Sequence, residues 1–374
     1  MYTYLDYNST TPVSKEVLDE MIPYFNQMYG NPSSTHTYGQ KAIRAVDMAR
    51  VRIAKFLGSK PDEIIFTGSG TESDNLAISG VLNNKKNKKH IITSSIEHSA
   101  VYNTCKEFEK NGFKVTYLPV DNNCRISIDD LENAITEDTA LISIMLTNNE
   151  TGVIQDIKKV AEVAEKNRIT LHTDAVQAAG KMEFSVDGLG VDLLTISGHK
   201  IYGPKGIGAL YVRRGLKLHP MIFGGGQEKK LRAGTENVPG IVGLGKACEI
   251  AGENLERNIE YLSKQRDALE QGILKNISFA KVNGGLAERG SNTSNISFPG
   301  IESETMIVKL DLNGIAVSSG SACGATSRET SRVLTAMGLS ALDLFSVIRF
   351  SVGLGTTDED IEKTVQTISK TCNK

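Results

Sequence analysis

The absences in this chain narrow its class before any motif is considered. Its 374 residues contain no apolar run of about 18 residues, the length that a membrane-spanning helix requires. The first residues, MYTYLDYNSTTPVSKEVLDE, are polar and acidic with no apolar stretch, so no secretory signal is expected. Neither sign of charge dominates: 42 basic residues face 44 acidic ones, for a net charge of −2. That balance argues against direct nucleic-acid binding or a membrane-surface role. The local cluster Lys85, Lys86, Lys88 and Lys89 reads as a solvated loop. The 5 cysteines, at 105, 124, 248, 323 and 372, form no CxxC pair and lie far apart. An odd count at wide spacing suggests free thiols in a reducing cytoplasm. No HExxH or clustered His/Cys pattern is present, so no metal site is expected. Internal repeats and low-complexity stretches are also missing.

What is present fits a globular protein: 40% hydrophobic and 23% charged residues. The length exceeds the roughly 250–300 residues at which a single core stops growing, so a large domain with a smaller companion is expected. Short apolar runs alternate with helical patterns over the first two-thirds. EIIFT (63–67), HIITSS (90–95), FKVTYLPV (113–120), ALISIML (140–146), ITLHT (169–173), LLTIS (193–197) and IGALYV (207–212) are the strand candidates. This alternation predicts an α/β fold with a mainly parallel central sheet flanked by helices. A long polar-faced helix near 253–276 breaks the alternation, and the segments after it read as a smaller α+β domain. The expected division is a large domain over 16–255 and a small one built from 1–15 and 256–374.

Ligands of parallel α/β sheets sit at the carboxyl ends of the strands. After EIIFT comes GSGTESDN (68–75), two glycines and hydroxyl residues opening a helix around Gly70 and Thr71. Backbone N–H groups and the helix dipole there favour an anion such as phosphate. The stretch lacks the Gly-Lys-Ser/Thr of a Walker loop, and its plain reading is a capped helix entry. HIITSS leads to His98, ALISIML to Asn148 and Asn149, ITLHT to Asp174 and Gln177, and LLTIS to Ser197, His199 and Lys200. Each has a plain reading alone: a helix-start histidine, an N-cap aspartate, a surface lysine beside a turn. All of them at one sheet edge is a far less ordinary coincidence.

One cofactor calls for this set. Pyridoxal phosphate needs a lysine amine for a Schiff base, a carboxylate to keep its ring nitrogen protonated, a flat group over the ring and an anion cradle. Lys200, Asp174, His98 and the 68–73 loop fill these roles. Ser197 and His199 add hydrogen bonds to the phosphate, and Gln177 donates to the ring hydroxyl.

The same stretches carry a resemblance. YLDYNSTTP, GNPSSTH, TGSGTESDN, SSIEHSAV, TNNETGVIQDI, HTDAVQAAGK, SGHKIYGPKGIGALYVRR, GGGQE, LRAGTENVPGIVG, SSGSAC and IRFSVG together resemble the NifS/IscS-type cysteine desulfurases. These are class V aminotransferase-group enzymes of pyridoxal-phosphate fold type I. The resemblance implies a homodimer in which Thr235 reaches the phosphate of the neighbouring subunit's cofactor. It implies that Cys323, in SSGSAC, takes sulfur from L-cysteine as a persulfide and delivers it to an acceptor such as an iron–sulfur scaffold. It also implies that Arg349 grips the substrate carboxylate and that Asn149 lies near ring and substrate. Guanidinium suits that task because its planar fork bonds a carboxylate twice. The small and hydroxyl residues around Cys323 suit an exposed loop, whereas Cys105 and Cys248 share helical apolar stripes and read as core thiols. Cys124 is expected in a polar turn and Cys372 in the tail. Gly324 and Thr330 depart from the family's usual hydroxyl or alanine and proline. Three other readings remain open at this point: transamination or selenocysteine cleavage, a non-enzymatic scaffold on an enzyme fold, and an RNA-binding protein.

Overall fold

A computed structural model describes residues 2–85, 87–319 and 330–372. The strands are β1 (Thr3–Tyr4), β2 (Ile64–Thr67), β3 (His90–Ser94), β4 (Lys114–Leu118), β5 (Thr139–Ser143) and β6 (Thr170–Asp174). They continue with β7 (Leu193–Ser197), β8 (Gly208–Val212), β9 (Lys281–Val282), β10 (Thr293–Ser297), β11 (Ile315–Ala316) and β12 (Val347–Ser351). Seven of them form the main sheet in the order β2-β8-β7-β6-β5-β3-β4. Only β8 runs against its neighbours, so β2 points the same way as β3 to β7.

Every residue of β2, β3, β5, β6, β7 and β8 is buried, which is why these segments read as unbroken apolar runs rather than alternating ones. The helices Thr37–Leu57 and Val238–Glu253 pack together over one face through Val46, Ala49, Ile53, Ile241 and Leu244. On the other face, the helix Gly70–Asn84 contributes Leu76, Ala77 and Val81 to a cluster with Ile65, Ile91 and Leu141. The run expected to extend to Leu146 leaves the ladder at Ser143. Its β3 neighbour ends at Ser94, so beyond that point Ile144 and Leu146 donate only toward β6, to the carbonyls of His172 and Asp174.

The later segments form a second, antiparallel sheet, β12-β10-β9, with its own core of Leu262, Leu269, Ile296, Phe298, Met306, Leu310, Ile348 and Phe350. The amino terminus joins this part of the molecule. Thr3 and Tyr4 pair with Ile315 and Ala316, and Leu5 is buried in the same cluster. The expected helix at 253–276 spans Leu255–Asn276, with Leu262, Leu269 and Ile273 turned inward. No helix among the described residues is long and apolar enough to cross a membrane.

The edge strand β2 is fastened from a distance. Glu228 accepts two bonds from Arg50, at 2.6 and 2.9 Å, and a third from the backbone N–H of Phe66 at 2.8 Å. The Arg50 guanidinium lies 4.6 Å from the centre of the Phe66 ring. Glu228→Ala leaves Arg50 as a charge with no carboxylate, and we expect it to cost roughly 3–5 kcal/mol in chemical denaturation, with Glu228→Gln losing less. An unchanged midpoint for Glu228→Ala would show that β2 does not depend on this clamp.

Candidate active site

The carboxyl ends of β2, β3, β5, β6 and β7 converge on a cavity of about 170 Å³. Its lining contains Gly70, Thr71, His98, Asn149, Asp174, Gln177, Ser197, His199 and Lys200. Thus nine of the residues singled out in the sequence meet in one place. Lys200 ends a single helical turn, Gly198–Lys200, directly after β7. Its Nζ donates to the carbonyls of Asn8 and Ser9, the latter at 2.8 Å, which ties the amine to the amino-terminal segment. His199 bonds Thr10 through Nδ1 at 3.2 Å, and burial pushes its imidazole down to about 4, so it is neutral near pH 7.

Asp174 closes β6, 5% exposed, with Oδ1 accepting the N–H of Val176 at 2.9 Å. His98 caps the helix Ser99–Lys110, its Nδ1 accepting the N–H of Ala100 at 3.2 Å. A neutral ring used this way carries its proton on Nε2. The plain helix-start reading of His98 is therefore correct, whereas Asp174 caps no helix: its carboxyl closes a turn at Val176, and both side chains are held at the cavity.

The anion cradle has a local cause. Ser69 caps the helix Gly70–Asn84 through Oγ to the N–H of Glu72, at 3.1 Å, and Glu72 reaches back to the N–H of Gly68 at 2.8 Å. That S-x-x-E reciprocity fixes the turn and leaves the first-turn amides of Gly70 and Thr71 without intrahelical acceptors. Glycine is required around it. A Cβ on Gly70 would meet Val176 Cγ2 at 3.0 Å, and one on Gly208 would meet the Ser69 carbonyl carbon at 2.6 Å.

Three expected residues stand apart from this lining. Arg349 is 1% exposed on β12, and its Nη2 bonds Asp6 at 2.7 Å and Ser9 Oγ at 3.0 Å. It also donates to the Asn149 carbonyl at 3.2 Å, which links it to the cavity wall. The carboxylate it holds here belongs to the chain itself. Thr235 is exposed and does not line the cavity, although Arg232, three residues earlier, is bonded to Glu72 of the cradle at 2.9 Å. Cys323 lies outside the described residues.

Lysine, carboxylate, imidazole and an amide-lined helix start around one small cavity fit pyridoxal phosphate. A model of the class-V aminotransferases matches residues 3–364. The chain belongs to this family. It is 48% identical over 99% of its length to a protein of Dictyoglomus turgidum named cysteine desulfurase IscS, covering 94% of that protein. A Methanosarcina thermophila protein of the same name is also 48% identical, over 99% of this chain and 92% of its own length. Among solved structures, a NifS-like protein is similar at TM-score 0.94 and 40% identity, with both chains fully covered. Another, SspA in complex with cysteine, is similar at TM-score 0.83 and 40% identity over 94% of this chain and 99% of that one. As a class-V enzyme of fold type I, the protein uses pyridoxal phosphate.

Several residues in and around the cavity gave no signal in the sequence. Asn8 accepts from Gln177 at 3.0 Å as well as from Lys200. Lys181, buried, donates to Gln177 Oε1 at 2.9 Å, and burial pushes its amine down to about 7. Asp74 lies in the lining, buried behind Thr71. Asp74, His98 and Asp174 place ligand atoms within 4.8 Å of one another, the only such set among the described residues. His98 and Asp174 each also accept a hydrogen bond from a backbone N–H. Only the spacing T-x-x-D on a helix entering the site could have flagged Asp74.

The remaining thiols are inert. Cys105 and Cys248 are core residues as expected, and burial raises both well above the ordinary thiol value. Cys124 is in a polar turn as expected, but buried. It sits in the turn after Asp121, yet its side chain is 0% exposed among Ile96, Met145 and Val153, and its thiol is pushed up to about 12. The polar neighbours Asp121, Asn122 and Asn123 hid its inward face. Cys372 is pushed up to about 11.

Glu97, next to His98, is the buried acid with the clearest consequence. It accepts from Ser94 Oγ at 2.5 Å and from the N–H of Met145 at 3.0 Å, and burial pushes its carboxyl from 4.5 up to about 8. Between those values the unfolded chain has released this proton and the folded one has kept it. Its contribution to stability therefore falls as pH rises through that window and is constant below it. Glu97→Gln keeps the acceptor oxygen and removes the titration. Its melting temperature relative to the parent should climb from pH 4.5 toward about 8. A pH-independent difference would contradict the buried neutral acid.

Proposed function

We infer that the protein is a pyridoxal-phosphate-dependent cysteine desulfurase that removes sulfur from L-cysteine and releases L-alanine. The observation that carries this reading is the convergence of Lys200, Asp174, His98 and the Gly70–Thr71 amides on one cavity. Bound there, the cofactor withdraws electrons from the substrate carbon joined to it.

The chain supplies everything else. The Lys200 amine holds the cofactor covalently and, once displaced by substrate, takes and returns the Cα proton. Asp174 faces the ring nitrogen with a negative charge. His98 lies over the ring and passes a proton to or from the substrate thiol through Nε2. Gly70, Thr71, Ser197 and His199 hold the phosphate, joined by Thr235 from a second copy of the chain. Gln177, oriented by Lys181 and Asn8, addresses the ring hydroxyl. Arg349 grips the substrate carboxylate, for which Asp6 is its present partner, and Asn149 borders the substrate.

Cys323 is the nucleophile in this reading, on the strength of SSGSAC and because the four described thiols are buried or held protonated. Its thiolate attacks the substrate sulfur. The S–S bond forms as the C–S bond breaks, so cysteine plus thiol becomes alanine plus persulfide with no outside oxidant. The persulfide then passes to an acceptor, such as an iron–sulfur scaffold, in a cytoplasmic homodimer. The domain division at 16–255 against 1–15 and 256–374 belongs to the same proposal, supported by the separate cores around the two sheets.

The test is a single incubation with L-cysteine. Alanine should form, and mass spectrometry should find one added sulfur on Cys323. Lys200→Ala should lose the visible absorbance of bound cofactor, and Cys323→Ser should keep it while sulfide release with reductant drops by at least about a hundredfold. Undiminished sulfide release by Cys323→Ser would remove that residue from the chemistry. Amino-group transfer in place of alanine formation would favour a transaminase.

A further inference from the structure

Beneath the cavity runs a buried polar chain that the reaction described above does not use. Ser143 Oγ bonds His172 Nδ1 at 2.8 Å, and His172 Nε2 bonds Thr195 Oγ1 at 3.1 Å. Asp74 Oδ1 lies 3.5 Å from His172 Nε2, the ring nitrogen that bonds Thr195. Ser143, His172 and Thr195 are each 0% exposed and Asp74 is 1% exposed, and Asp74 Oδ1 accepts no hydrogen bond. Asp74 reaches within 4.8 Å of Asp174 and His98.

Two carboxyl groups this close in a dry site do not both ionise. Burial raises the Asp174 carboxyl as well, but there His98, the N–H of Val176 and Lys200 pull it back down, so of the two it is the one that ionises. The charged neighbours of Asp74 are the acids Asp174 and Glu97, and burial raises its carboxyl well above the usual range. His172 offers no charge to offset this, since burial pushes it down to about 3. We propose that Asp74, buried beside His172 and Thr195, is a positioning residue that stays a neutral acid and tunes the Asp174 carboxylate facing the cofactor's ring nitrogen. Its acid proton draws on Asp174 and lowers the basicity of that carboxylate, so the shared proton stays on the ring nitrogen. This role rests on the reading of Asp174 given above.

Infrared difference spectra of cofactor-free protein, wild type minus Asp74→Asn, test the protonation directly. A protonated-carboxyl band that Asp74→Asn removes should persist from about pH 6 to about pH 8, far above an ordinary aspartate. Its absence would overturn the proposal. With cofactor bound, Asp74→Leu and Thr195→Val should raise the midpoint of the visible-absorbance pH titration by about half a pH unit, threefold in the equilibrium constant. Asp74→Asn, neutral and still a donor, should stay near the parent midpoint and cofactor affinity. Parent-like titrations for Asp74→Leu and Thr195→Val would refute the tuning, and so would loss of cofactor by Asp74→Asn as severe as that of Asp174→Asn. Should Asp74→Leu not fold, Thr195→Val and the infrared band still decide. Full cofactor affinity in Asp174→Asn would instead refute the site assignment, whatever the band shows.

Discussion

The structure depends on placing a carboxyl group and an amine in a site that water barely enters. Asp174 is 5% exposed at the end of one buried strand, and Lys200 follows the end of the next. A lone charge so placed is costly, and each is retained because other groups meet it: Val176 and His98 around Asp174, the Asn8 and Ser9 carbonyls around Lys200. The parallel sheet makes this possible. Its strands run side by side, so five of their carboxyl ends open on the same edge, and groups more than a hundred residues apart become neighbours.

The same dryness sorts the protonation states around the site. Lys181 is driven toward neutrality, Glu97 and Asp74 toward the acid form, and His172 and His199 toward neutral imidazole. A site crowded with ionisable groups thereby carries few charges. In the proposed reaction the groups left to act are Asp174 and Lys200, and in a low-dielectric surrounding a charge acts more strongly than it would in water. The buried cysteines follow the same rule and are silenced as nucleophiles.

The amino-terminal segment binds the two parts of the molecule together. Thr3 to Leu5 belong to the second sheet and its core, while Asn8 and Ser9 accept from Lys200 and Asn8 also donates to the Asn149 carbonyl at 3.1 Å. Arg349, on β12, meets the same segment at Asp6 and Ser9. On the other side of the cavity, Ser331 Oγ bonds Glu150 at 2.5 Å and the Arg332 guanidinium lies 3.8 Å from the centre of the Tyr102 ring. Residues of both parts that border the cavity are thus held in register by backbone carbonyls and buried ion pairs.

Much of the site was legible because its causes are local. Buried strands show as apolar runs, a helix entry shows as S-x-x-E after glycine, and a lysine in a glycine-rich bend after a strand is visible in SGHKIYGPKG. Those features depend on residues a few positions apart, so the one-dimensional order contains them. Asp74, Lys181, Glu97 and Asn8 stayed hidden because their meaning lies in burial and in partners far along the chain. The burial of Cys124 stayed hidden for the same reason, its polar neighbours masking a side chain turned inward. By itself, then, the amino-acid order determined the α/β alternation and most of the side chains that reach the cavity edge. Only the tertiary fold decided which of them stay charged, because a proton's affinity answers to dielectric and to distant charges, neither of which periodicity records.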